Sequence, residues 1–183
     1  MSDDHPFRQP LHENGIVLRL PTWREADALM AMWDHPTLAW MFPDAFDGSW
    51  PDPVLLLEMA SGALNRENVL VVENEQGELV GTVHLNGFDR GKPALGWYVA
   101  PDHRRQGIAT RAVAAAMRHL FEDHCDDLGA YMDPRNVACR GLLEKLGFAP
   151  ATSPRPDVVA FAITREDHDD RLGADAPAMR PAA

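Results

Sequence analysis

Positive charge is scarce in this chain. Its 17 Lys and Arg face 28 Asp and Glu, for a net charge of -11 and an isoelectric point near 5.0. Neutralising a phosphate backbone or an anionic bilayer takes clustered cations, so this balance excludes general nucleic-acid and anionic-membrane binding. An amine-bearing or otherwise cationic partner is easier to accommodate. Cysteine is almost absent: Cys125 and Cys139 have neither metal-ligand spacing nor a disulfide framework, which points to reduced thiols in a cytoplasm. No apolar run approaches the ~20 residues that span a bilayer, and MSDDHPFRQP is acidic where a secretory leader is basic and then apolar. The expectation is a soluble cytoplasmic protein without nucleic-acid or membrane partners. No internal repeat is present, and 183 residues are accommodated by one core, as a monomer or a homodimer.

What is present is an orderly succession of strand and helix signals. Residues 1–14 lack periodicity and read as a flexible arm, while GIVLRL (15–20) reads as a strand closed by Pro21. Thr22 and Glu25 form a capping box opening a helix over 23–33, with Ala26, Leu29, Met30 and Trp33 at helical spacing. From 34 to 53 the chain is dense in Pro and Asp yet holds Trp40, Met41, Phe42, Phe46 and Trp50. Such a loop either folds its rings under itself or lines a binding cleft. A short helix over 53–63 leads to a hairpin of strands 68–73 and 79–88, then a strand over 94–100 and a helix over 107–123. A strand over 128–133, a helix over 136–146 ending in a basic turn and Gly147, and a strand over 158–164 complete the pattern. The remainder, 165–183, is polar and reads as a mobile tail.

The stretch APDHRRQGIATRAV (100–113) carries the most chemistry. A strand runs through a tight turn at Ala100 and Pro101 into a helix start with Arg104, Arg105, Gln106 and Gly107 and no carboxylate in the next turn. Unpaired N–H groups and a partial positive charge make a helix N-terminus an anion site, and two guanidiniums add forked donors suited to a pyrophosphate. The competing reading is a solvated turn. The segment is not a Walker loop, lacking Gly-Lys-Ser/Thr, and not a dinucleotide fingerprint, lacking the glycine spacing.

Val99-Ala100-Pro101 followed by Arg104-Arg105-Gln106-Gly107-Ile108-Ala109 resembles the acetyl-coenzyme A motif of the GCN5-related N-acetyltransferases, V-x-P then Q/R-x-x-G-x-G/A. A second family motif, Asn followed by a helix ending in E-K-x-G-F, matches Asn136 and Glu144 through Phe148. The resemblance covers about Gly15 to Thr164, and Asn136-Val137-Ala138-Cys139 with Leu18-Arg19-Leu20-Pro21 looks most like the branch that acetylates N-termini of ribosomal proteins. It implies an α/β domain (α+β type) whose mixed, mostly antiparallel sheet splays between its fourth and fifth expected strands (94–100 and 128–133). It also implies acetyl-CoA as donor substrate, no metal, and direct attack by an amine on the thioester. By the same resemblance Trp97, Tyr98 and Val99 match the strand that pairs with the pantetheine arm, Arg104 to Ala109 the pyrophosphate loop, and Asn136 a contact to the lower cofactor.

The acid and base depart from the family pattern, whose usual positions hold Tyr131, Ala94 and Leu143 here. An acceptor amine is mostly protonated at neutral pH, so its proton needs a destination. His84, on a strand bordering the acceptor side, is one candidate, with a half-buried structural histidine as the alternative. Asp133 is a base or a turn residue before Pro134, and Cys139 is a donor to the leaving sulfur or a small packing thiol. Trp40, Phe42 and Asp44 of the aromatic loop are candidates for acceptor binding. The HCDD run at 124–127 with His119 reads as a solvated helix end, because no third ligand falls at a supported spacing. A non-catalytic acyl-CoA sensor is the alternative to an enzyme.

Overall fold

The computed structural model describes residues 5–32, 69–87, 93–153 and 156–175. The aromatic loop with Trp40, Phe42 and Asp44, the helix expected over 53–63 and residues 176–183 lie outside the described residues. Eight strands form one sheet: β1 (Leu11–Glu13), β2 (Ile16–Arg19), β3 (Val69–Asn74), β4 (Leu79–Asn86), β5 (Ala94–Val99), β6 (Asp127–Met132), β7 (Ala149–Ala151) and β8 (Val159–Thr164). Their order is β1-β2-β3-β4-β5-β6-β8-β7, and every neighbouring pair is antiparallel except β5 and β6. The described helices are α1 (Ala26–Met32), α2 (Ile108–Asp123), α3 (Val137–Leu146) and α4 (Arg165–Asp175). This is the mixed, mostly antiparallel α/β architecture expected from the sequence.

Strand alternation decides which side chains meet which layer. Leu18, Leu70, Val72, Val83, Leu85 and Leu95 share a core with α2, whose Ile108, Ala112, Val113, Ala116, Met117, Leu120 and Phe121 are all buried. Each fully buried Leu or Phe contributes about 1.5–3 kcal/mol of transfer free energy, so this layer is the main cohesive element. The opposite face takes Leu29 of α1, 2% exposed, and the Tyr98 ring, whose Oη donates to Met32 O at 2.6 Å. Glu25 accepts from the Thr22 N–H (2.6 Å), the return half of the expected capping box, and from the Thr22 hydroxyl (2.9 Å), while its own N–H donates to Thr22 O (3.0 Å) in a 3-10 turn that leads into α1.

Both chain ends differ from expectation within the described residues. Phe7 is 1% exposed, its ring 4.8 Å from that of His119, and Leu11–Glu13 pairs with β2, so the described part of the expected flexible arm is built into the fold. The cause is local. Asn14 and Gly15 both take positive φ, 50° and 75°, the two-residue turn whose twist matches a hairpin. Likewise Arg165–Asp175, expected as a mobile tail, is a helix, because Thr164 caps it through the Asp167 N–H at 3.1 Å.

Candidate active site

A cleft of about 1200 Å³ opens where β5 and β6 part, walled by β4, β5, β6 and the first turns of α2 and α3. The only register pair between β5 and β6 is Ala94 with Gly129, beside a Gly129 N–H to Pro93 O bond of 2.9 Å. Ala100 N–H reaches Val80 O at 3.0 Å, so the even-numbered residues of this segment bond to β4. In an antiparallel pair alternate residues turn their N–H and C=O to opposite sides, so Trp97 and Val99 present theirs to the gap. An extended ligand laid there meets a ready-made strand edge.

The loop from β5 to α2 builds the second wall. Pro101–His103 forms one 3-10 turn, Arg104 returns to extended backbone, and Arg105 and Gly107 take φ of +65° and +75°. Gly107 is the N-cap of α2, with no side-chain cap and no acid in the first turn. The first-turn amides of Ile108, Ala109 and Thr110 therefore have no intrahelical acceptor, and all three residues line the cleft. A Cβ on Gly107 would meet nothing within 4 Å, so its backbone angle, not lack of space, calls for glycine. Arg104 Nε donates to Val99 O at 2.9 Å and its guanidinium lies 5.5 Å from the Tyr98 ring, which fastens the loop to β5.

α3 supplies the third wall. Asn136 caps it, its Oδ1 accepting from Cys139 N–H at 3.0 Å, and Gly147 ends it at φ +93°. Val137, Ala138, Cys139, Leu142 and Lys145 border the cleft, whereas Leu143 is fully buried in the core. Burial pushes the Cys139 thiol up to about 11, so it keeps its proton at neutral pH.

Two titratable groups on the sheet side both have lowered pKa values, which leaves the histidine neutral and the aspartate ionised. His84 lines the cleft but is only 9% exposed; its Nε2 lies 3.0 Å from Thr82 Oγ1, and burial pulls its pKa down to about 4, leaving a neutral ring. Asp133 accepts from Arg135 through Nε (2.9 Å), Nη2 (2.6 Å) and the main-chain N–H (2.8 Å), which holds its pKa down at about 2. Among the described residues no group of three or more His, Cys, Asp or Glu is arranged to hold a metal, and no helix is long and apolar enough to cross a membrane.

A family model for the acetyltransferase (GNAT) domain matches residues 16–149, more than half of the chain. The chain belongs to the GNAT acetyltransferase family. No curated protein matches it in sequence. Among solved structures, RimJ from Mycobacterium smegmatis in complex with CoA-disulfide superposes with a TM-score of 0.69 at 23% identity, over 91% of this chain and 92% of that one. Spermidine N-acetyltransferase from Vibrio cholerae, in complex with CoA and spermine, gives 0.69 at 17% identity over 84% and 98%. Ribosomal-protein-S5-alanine acetyltransferase from Vibrio fischeri gives 0.64 at 16% identity over 87% and 98%. At these identities the likeness is one of fold.

Within this GNAT domain the fold brings most of the sequence-derived cofactor residues together. Trp97, Val99, Arg104, Arg105, Gly107, Ile108, Ala109 and Asn136 border one cleft with His84, Asp133 and Cys139. Gln106 does not border the cleft, and its Nε2 donates back to Asp102 O at 3.2 Å. Tyr98 also borders the cleft, but its main chain bonds to β4 and its phenol donates to Met32 O. Of the positions where the family's acid and base usually stand, Ala94 and Tyr131 do line the cleft but Leu143 points into the core. Lys145 and Thr110 are cleft residues that sequence reasoning missed. The signal was there: Lys145 lies three residues beyond Leu142 and seven beyond Ala138, one stripe of a helix starting at Asn136.

Proposed function

We propose that this protein is an N-acetyltransferase that uses acetyl-CoA as donor substrate and an amine as acceptor, either a protein N-terminus or a small cationic amine. One observation carries the reading: an uncapped, acid-free helix start opens into the same cleft as the edge of β5 that parts from β6 beyond Ala94. Anionic phosphates fit the first, and an amide-bearing arm fits the second. The acceptor remains two-sided because similar structures include one holding CoA and spermine and one named for a ribosomal protein.

Bound in that way, the donor supplies a thioester; the amine attacks its carbonyl carbon, the C–N bond forms, the C–S bond breaks and the thiolate leaves. The chain's residues set the surroundings of that exchange. The Val99 N–H, turned into the gap, is placed to donate to the carbonyl oxygen as negative charge develops there. Cys139, protonated at neutral pH, is a hydrogen-bond donor toward the leaving sulfur, which takes up the proton that the amine releases. His84 is a neutral acceptor beside the cleft; its low pKa makes it a relay toward water in preference to a store of charge. Asp133 is too firmly held by Arg135 to act as the base. Trp40, Phe42 and Asp44 are proposed for acceptor contacts.

Thiol release from acetyl-CoA, followed across a panel of polyamines, small amines and peptides with free N-termini, tests the proposal. Turnover with at least one amine class is expected. The second reading, a non-catalytic acyl-CoA sensor, is favoured by Ala94 and Tyr131 at the usual base positions together with an Asp133 ion-paired to Arg135. CoA binding without turnover on any amine would select it.

A further inference from the structure

The helix that follows the last strand touches both helices whose first turns line the cleft. At the end of α2, Arg165 donates from Nη2 to Cys125 O at 2.8 Å and from Nη1 to Glu122 O at 3.4 Å. One turn on, the His168 ring packs 5.1 Å from that of Phe121 of α2 and is 9% exposed. At the end of α3, Arg171 Nη2 donates to Lys145 O at 3.1 Å. The Arg171 stem fills a notch over Gly147, where a Cβ would sit 2.6 Å from Arg171 Cδ and 2.8 Å from its Nε. Gly147 thus serves two ends: it takes φ +93° and leaves room for Arg171.

The last four carbonyls of a helix lack intrahelical partners and carry its partial negative charge. The Glu144 and Leu143 carbonyls accept from the Gly147 N–H and, for Leu143, also from the Phe148 N–H, which leaves Lys145 O for Arg171. Lys145 is the cationic residue of α3 that borders the cleft. Its four-carbon stem has high rotamer freedom, so the direction in which it leaves the helix depends on the last turn staying wound.

We propose that α4 is a positioning element of the cleft, and that Arg171 is the positioning residue, acting through the Lys145 carbonyl to hold the Lys145 ammonium where an anionic ligand meets it. The inference rests on the reading of this cleft as a CoA site. With Arg171 in place the turn that carries Lys145 is wound before a ligand arrives; without it, the cost of winding that turn falls on ligand binding and weakens affinity. Arg165 and His168 fix the other end of the same helix against α2, so that α4 spans the pair.

The test is calorimetric titration of the full chain with CoA in a double-mutant cycle. Arg171→Met keeps an apolar stem over Gly147 and removes the donor; Lys145→Met removes the ammonium. Each alone is expected to weaken CoA binding about three- to tenfold, the double variant no more than Lys145→Met alone, and Arg171→Lys to recover most of the loss. An unchanged affinity in Arg171→Met, losses that multiply in the double variant, or a failure of Arg171→Lys to restore binding in a folded protein would overturn the proposal. No binding of CoA by the unmodified chain would instead overturn the reading of the cleft.

Discussion

A histidine on a strand beside a cleft is an acid–base candidate in any sequence, and at His84 the fold removes its charge. The sequence shows the strand and the residue but not the burial that pulls the pKa from 6.5 to about 4. That shift has a sign. Between those two values the unfolded chain binds a proton that the folded one refuses, so stability is full above pH 6.5 and falls as pH drops toward 4. For one buried group the loss is at most about 3 kcal/mol. Replacing His84 by Gln, which keeps a polar partner for Thr82, should flatten the denaturation midpoint across that window; an unchanged slope would place the titration elsewhere. Cys139 makes the reverse case. With its thiol raised to about 11, it should react slowly with iodoacetamide at pH 7.5, and bound CoA should slow it further. Rapid labelling of Cys139, read by peptide mass, would contradict its protonated state and with it the hydrogen-bond-donor role.

Among elements, the loop from β5 to α2 was the most legible part of the sequence, since glycine at a helix start, flanked by arginines and lacking acids, has few other uses. Its details were not legible. Arg104 reaches back to Val99 O and Gln106 to Asp102 O, choices made by main-chain geometry that residue type does not encode. The hairpin of β1 and β2 was readable but passed over, because Asn14-Gly15 is a strong turn signal and β1 is only three residues long. For the loop itself the two costs separate. Gly107→Ala places a Cβ in open space at φ +75°, a backbone penalty of about 1–2 kcal/mol, whereas Gly107→Glu adds a like charge to the intended anion site. Calorimetry should show CoA affinity reduced up to tenfold by Ala and abolished by Glu. Equal affinity for all three proteins would mean that the phosphates sit away from this turn. On the opposite edge, Arg19 joins β2 to Glu25 and Glu73, both at 2.5 Å, and binding to Arg19 holds Glu25 down at about 2. Arg19→Met leaves two partly buried carboxylates facing each other, so the variant should lose about 1–3 kcal/mol, and the further change Glu73→Gln should recover part of it in urea titrations.

At the scale of the whole molecule, the core face of α2 followed from hydrophobic period and the opening between β5 and β6 from the family resemblance, whereas the ends of the chain followed from neither. Composition classed both ends as loose because they are polar and lack period. Beside the local Asn14-Gly15 turn and Thr164 cap, what holds them to the body is tertiary: a buried ring for the first, two arginines on helix carbonyls for the last. Local pattern carries no sign of either, since a lone Phe7 among Pro, His and Gln has no periodic partner until α2 brings His119 beneath it. His119 also places Nε2 2.6 Å from Pro6 O, so the segment is held by packing and by a polar contact together. These readings of the N-terminal segment make different predictions for one substitution. A flexible arm tolerates Phe7→Ala with a change within ~0.5 kcal/mol, as exposed sites do. A residue 1% exposed in the main core leaves a cavity and should cost about 3–5 kcal/mol. Urea unfolding of the two proteins decides between them. A shift in midpoint with an unchanged slope is the expected result, and coincident curves would return residues 5–13 to the status of an arm and remove β1 from the folded domain.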